Sequence, residues 1–133
     1  MTLVTNEQLL EEAKKARLLA YAPYSNFLVG AALLTESGQV FTGVNVENAS
    51  YGLTVCAERV AIFKAVTDGE KNFRKIAIVT DTDQPKSLCG ACLQVLSEFC
   101  ADLEIVCATR RGKKKKYRLR ELLPKAFKRM SKD

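Results

Sequence analysis

Two short motifs carry the reactive side chains of this chain: Cys56-Ala57-Glu58 and, with its first cysteine 33 positions later, Cys89-Gly90-Ala91-Cys92. They offer three thiolates and a carboxylate to one divalent metal ion. A structural zinc usually takes four protein ligands, whereas a catalytic zinc keeps one position for water. The 133 residues include no histidine, so no imidazole completes the ligand set or serves as a base. Cys56, Cys89 and Cys92 therefore read as the three ligands of a hydrolytic zinc centre, with Glu58 as the group that moves protons.

The spacing supports this chemistry. A helix N-terminus presents free N–H groups and a partial positive charge, and a cysteine placed there ionises more readily. The two-residue gap lets Cys89 and Cys92 face one point, while Cys56 closes the third corner from another helix. Three thiolates and a zinc ion sum to about −1, which weakens the metal as a Lewis acid unless something offsets the charge. Arg59 is the candidate, donating to a cysteine sulfur; its plainer reading is a solvated helix charge. Glu58 is a hard oxygen beside a soft sulfur set, which suits a proton shuttle better than a fourth ligand. Its plainer reading is a carboxylate that stabilises a first helical turn. Cys-x-x-Cys alone also fits a thioredoxin-like redox motif, but that reading leaves Cys56-Ala57-Glu58 unexplained.

The elements that must position these groups are readable in outline. Thr5-Asn6-Glu7-Gln8 forms a capping box, and Leu9, Ala13, Ala16 and Ala20 repeat at helical spacing to about Tyr21, before Pro23. Residues 27–35 and 40–46 flank the turn Glu36-Ser37-Gly38-Gln39 as a hairpin. A loop over 45–55 leads into a helix from Cys56 to about Thr67, stopped by Asp68-Gly69. Residues 75–80 read as a strand, 81–88 as a polar loop and 89–99 as the second motif-bearing helix. Residues 103–108 read as a strand, and a last short one is expected near 117–119. This order predicts an α/β fold: three layers, α/β/α, with a mixed five-stranded sheet that is parallel in its later part, in one domain spanning 1–133. Open α/β sheets bind ligands at the carboxyl ends of strands, and both motifs fall at such ends.

Composition narrows the function classes. The chain is 47% apolar and 27% charged, a globular profile. No apolar run approaches the roughly 18 residues of a membrane span, and the first six residues lack the pattern of a signal peptide. The cytoplasm, where thiols stay reduced, is the expected compartment. An odd count of five cysteines argues against a full disulfide framework, and Cys100 and Cys107 read as buried filler. The net charge of +6 is local: residues 110–120 hold 8 of the 21 basic side chains, leaving 13 basic against 15 acidic elsewhere. Such a patch can attract phosphates, but the preferred reading is a solvated hairpin tip.

Cys56-Ala57-Glu58-Arg59 with Cys89-Gly90-Ala91-Cys92 resembles the small cytidine deaminases of nucleoside salvage. The run 45–55 leading into Cys56, the stretch 24–33 and the closing Leu122-Leu123-Pro124-Lys125-Ala126-Phe127 resemble the same family, so the likeness extends over about residues 7–127. It implies one zinc ion per subunit on Cys56, Cys89 and Cys92, and hydrolytic deamination of cytidine and 2′-deoxycytidine to uridine and 2′-deoxyuridine with release of ammonia. Glu58 would protonate the ring and carry a proton to the departing amine. The resemblance further implies that the Ala57 backbone bonds the base, Asn45 and Glu47 bind the sugar hydroxyls, and Phe27 stacks on the pyrimidine. It implies a homotetramer in which Phe127 reaches a neighbouring subunit's site and Tyr51 lies at a subunit boundary. The chain departs from the family pattern at Leu88, where proline is usual, and at Leu93, where arginine is common. Proline would fix φ at about −65°; leucine restores a backbone donor and loosens the approach to the metal.

Two other functions fit less well. Deamination of another aminopyrimidine nucleoside, such as a blasticidin-type antibiotic, leaves Asn45 and Glu47 without the free ribose they suit. A non-catalytic, zinc-stabilised RNA-binding domain leaves Glu58 without a purpose. The expected partner is a small-molecule nucleoside, with neither a membrane nor a nucleic acid.

Overall fold

The chain, described over residues 4–129 by a computed structural model, opens on the capping box. The Thr5 hydroxyl accepts from the Gln8 N–H at 3.1 Å and Gln8 Oε1 accepts from the Thr5 N–H at 2.8 Å, starting α1 (Asn6–Arg17). The helix ends at Arg17 rather than near Tyr21. The backbone of Tyr21 is committed elsewhere: its N–H donates to Asn45 O at 3.0 Å and its carbonyl accepts from the Glu47 N–H at 2.9 Å. A residue held in that bridge cannot also continue the helical ladder.

The hairpin is β1 (Gly30–Thr35) paired antiparallel with β2 (Val40–Val44). Both strands are shorter than the apolar runs, because 27–29 and 45–46 leave the sheet to build the loops at its end. A one-turn 3₁₀ helix, Tyr51–Leu53, interrupts the following loop. Then come α2 (Ala57–Thr67), β3 (Phe73–Thr80), α3 (Gly90–Phe99), β4 (Glu104–Thr109), β5 (Lys114–Arg118) and α4 (Leu119–Leu122).

The strand order is β2-β1-β3-β4-β5. Among the described residues β3 and β4 are the only strands that pair in parallel; β5 returns antiparallel to β4, so the expected parallel later part is limited to one pair. The last strand also begins earlier than expected, at Lys114. Lys114, Lys115, Lys116 and Arg118, half of the segment's basic residues, therefore lie on an edge strand, and residues 110–113 form the solvated tip. Lysines along an edge discourage pairing with another chain.

Alternation along the strands splits the core. Ala31, Leu33, Ile76, Ile78, Ile105 and Cys107 face α2 and α3, while Ala32, Leu34, Ala77, Val79, Val106 and Ala108 face α1. This is the three-layer arrangement expected. Two glycines set the spacing: a Cβ on Gly30 would lie 1.9 Å from Ala13 O, and one on Gly43 would lie 2.3 Å from Ala57 O. Both helices thus ride directly on strand backbone, one on each face of the sheet.

The strand directions create the site. Gly30 pairs with Val44 on one side and Val79 on the other, so the carboxyl ends of β2 and β3 and the start of β1 meet at one end of the sheet. The loop residues 27–29, Asn45 and Thr80 gather there, and the two motif-bearing helices begin there.

Candidate active site

Cys56 is the N-cap of α2 and Cys89 the N-cap of α3, both with extended backbone and neither with a side-chain cap bond. Their sulfurs are thus left to face outward from two helix N-termini. The Sγ atoms of Cys56, Cys89 and Cys92 all lie within 4.8 Å of one another. Cys56 and Cys89 are 3.9 Å apart, and Cys89 and Cys92 are 3.4 Å apart. Sulfurs bonded to each other would be about 2.0 Å apart, and all five cysteines are free. Two sulfurs on a tetrahedral zinc, each about 2.3 Å from it, stand about 3.8 Å apart. The trio therefore fits a zinc ion.

Its electrostatics point the same way. A hydrogen bond from Cys92, with one from Arg59, lowers the Cys56 thiol to about 5. The same bond to Cys56, then burial, pushes the Cys92 thiol far above its ordinary value. Three adjacent sulfurs cannot all ionise beside one another, and a dication in their midst removes that conflict. Arg59 Nη2 donates to Cys56 Sγ at 3.5 Å, and this contact holds its guanidinium charged. Cys100 and Cys107 are buried away from the trio, and burial raises their thiols to about 11 and about 12.

Beside the sulfurs lies a cavity of about 210 Å³. Glu58 and Ala57, in the first turn of α2, form its floor with Cys56. Glu58 is 6% exposed, and burial, then the charge on Cys56, pushes its carboxyl above the ordinary value. Phe27 forms a side wall. The preceding residue, Asn26, has φ of 59°, a left-handed conformation that Asn tolerates better than most.

Asn45 lines the cavity and is itself held: its Nδ2 donates to Phe27 O at 2.8 Å and its Oδ1 accepts from the Val29 N–H at 3.0 Å. Glu47 is not part of the cavity wall. Its carboxylate accepts from Ser25 Oγ and from the N–H groups of Tyr24 at 3.0 Å and Ser25 at 3.1 Å, which keep it below its usual range. Phe127 is also outside the cavity. It is 77% exposed, with its backbone strapped to α3 by both amide atoms of Gln94, at 2.9 and 3.1 Å.

Sequence reasoning placed Leu88 beside the metal, and Leu88 does line the cavity, but it missed Thr80, Lys86 and Ser87, which line it too. Thr80 could have been found as the carboxyl end of a strand. Lys86 and Ser87 lie in a polar loop whose course no local pattern sets.

A mixed sheet with two cysteine-capped helices opening on one cavity defines a zinc-binding deaminase region. The model of the cytidine and deoxycytidylate deaminase zinc-binding region matches residues 3–109. The chain is 49% identical over 122 residues to a cytidine deaminase of Sporosarcina psychrophila, covering 91% of this chain and 90% of that protein. It is 50% identical over 122 residues to a cytidine deaminase of Halalkalibacterium halodurans, covering 91% and 92%. The crystal structure of cytidine deaminase from Burkholderia pseudomallei superposes with a TM-score of 0.90 at 51% identity, over 92% of this chain and 99% of that one. The chain belongs to the cytidine deaminase family.

Proposed function

We propose that the protein hydrolyses cytidine and 2′-deoxycytidine to uridine and 2′-deoxyuridine, releasing ammonia. The observation that carries this reading is the position of Glu58, buried on the wall of a cavity that Cys56 and Cys89 of the sulfur trio also line. Cys56, Cys89 and Cys92 would hold zinc, which supplies Lewis acidity and lowers the pKa of a coordinated water. The chain's own groups do the rest. Glu58, the sole acidic residue on the cavity wall among the described residues, is placed to take a proton, hand it to the ring and release it to the leaving amine. The Ala57 N–H, at a helix start, is available to the base carbonyl. Phe27 offers an aromatic face to the pyrimidine. Asn45 lines the cavity, where it would meet the sugar, and Glu47 fixes the Tyr24–Ser25 turn.

The relatives described above are cytidine deaminases, which favours cytidine over a blasticidin-type substrate and over a non-catalytic RNA-binding role. We also propose a homotetramer. Phe127 is exposed and does not line its own cavity, and a shallow depression of about 610 Å³ over Phe41, Val60 and Phe63 leaves apolar surface uncovered. One domain over 1–133 and a cytoplasmic location complete the reading. They are supported by a single sheet, by five free cysteines and, among the described residues, by the lack of any helix long and apolar enough to cross a membrane.

Ultraviolet monitoring of cytidine with purified, metal-assayed protein tests the reading. Conversion to uridine with stoichiometric ammonia is expected. A zinc-loaded protein that leaves both cytidine and deoxycytidine untouched refutes it.

A further inference from the structure

At the end of the sheet that carries the site, on the α1 side, three charged residues meet. Arg17, the last residue of α1, is 6% exposed, and its Nη1 lies 3.0 Å from each oxygen of Asp81. Arg110 Nε lies 3.5 Å from Asp81 Oδ1. Asp81 is the first residue after β3, and Arg110 the first after β4. The Arg110 N–H also donates to Thr80 O at 2.9 Å. Gly30 brings this cluster within reach, because only a residue without a side chain lets the end of α1 lie against the start of β1.

The two residues flanking Asp81 carry a relay of hydroxyls along the chain. Thr80 Oγ1 and Thr82 Oγ1 are 2.7 Å apart, and Thr82 Oγ1 donates to Gln84 O at 2.5 Å. Thr80 lines the cavity, and the loop so anchored supplies Lys86, Ser87 and Leu88 to its wall before delivering Cys89. Beyond Gln84 the loop has one weak side-chain bond among the described residues, Ser87 Oγ to Leu88 O at 3.3 Å. The geometry points to Asp81 as a positioning residue: clamped by Arg17 and Arg110, it fixes the angle at which the second cysteine loop leaves the sheet.

The charge chemistry suits a positioning device better than a stabilising one. A buried pair costs desolvation that its attraction barely repays, and it is often replaceable by neutral groups at no loss of stability. The directional hydrogen bond from Arg17 Nη1 to Asp81 Oδ2, with Arg110 Nε closing on Oδ1, instead specifies one geometry. A clamp on the face of the sheet opposite α2 and α3 thereby orients groups on the other face.

This inference rests on the deaminase reading, and the two are separable because the unaltered protein is assayed alongside. Asp81→Asn is compared with the double variant Arg17→Met/Asp81→Asn, with turnover expressed per folded, zinc-loaded chain, so that lost stability alone moves nothing. In Asp81→Asn the buried Arg17 loses its counter-charge, and the melting midpoint falls by roughly 10 °C. The double variant recovers most of that midpoint. Both variants show kcat/KM lowered about tenfold or more, and both surrender zinc to a chelator several-fold faster. Recovery of turnover and zinc retention together with the midpoint in the double variant would reduce the cluster to a stability element and overturn the proposal. So would an Asp81→Asn variant with unaltered turnover and zinc release. An unaltered protein inactive on cytidine would instead fault the deaminase reading, leaving the zinc-release comparison to judge the clamp.

Discussion

The two connections that deliver sulfur to the site are built to different standards. Residues 45–56 are tied along their length. Val46 and Val55 exchange both backbone bonds at 3.0 Å, Asn45 grips Phe27 and Val29, and the Asn48 N–H donates to Thr54 Oγ1 at 3.1 Å. Residues 81–88 are held at their origin by Asp81 and the threonine relay, and near their end by burial of Leu88. Cys56 is half-buried beneath Arg59, whereas Cys89 is exposed. A segment with few internal bonds opens at low cost. The first connection is a preformed platform for Glu58; the second is fastened mainly at its two ends.

The sharpest test of the platform is Glu58→Gln. Turnover should fall by about a thousandfold or more, with zinc content and melting midpoint kept; a variant with normal turnover breaks the assignment. Next comes Cys89→Ala, which should purify with little zinc by elemental analysis. Metal removal sharpens the contrast further. On chelation, amide exchange should accelerate about tenfold across 81–92 and much less across 45–57, and equal acceleration in both segments would erase the distinction. Gly43→Ala pushes α2 off β2 and should cost about 3 kcal/mol in denaturant unfolding, displacing the platform without touching a ligand.

The smallest effect lies far from both connections, at Asp102. Burial pushes its carboxyl upward, but the Arg120 N–H, the Arg118 guanidinium and the Leu103 N–H together hold it below the ordinary value. A depressed folded-state value means that its stabilisation is complete above the unfolded value of about 4 and fades as pH falls below it. Asp102→Asn should therefore lower the melting midpoint slightly at pH 7, and the difference from the unaltered protein should disappear on acidification toward pH 2.

The metal ligands were legible because each motif is local: a cysteine two residues from a carboxylate, and two cysteines one helical turn apart, carry their meaning within a few positions. The capping box at Thr5 was legible for the same reason. Tertiary pairing hid the rest. Tyr21 leaves α1 because Asn45 and Glu47, distant in sequence, claim its backbone. Lys114, Lys115 and Lys116 are poor strand formers, and they become a strand because β4 offers its free edge. Glu47 sits within two residues of Asn45 yet turns to Ser25, since the bridge of Val46 to Tyr21 and Val55 takes the chain out of regular β2. The wall at Lys86 and Ser87 depends on where a loop lands, which no periodicity encodes.

The lysine-bearing margin at β5 has a consequence for how copies of this protein can meet. Two such margins brought side by side would set ammonium groups against ammonium groups, so growth of a continuous sheet from one molecule to the next is closed on that flank. The apolar depression around Phe41 and Phe63 carries no such row of like charges, and it is the surface that the proposed homotetramer would use.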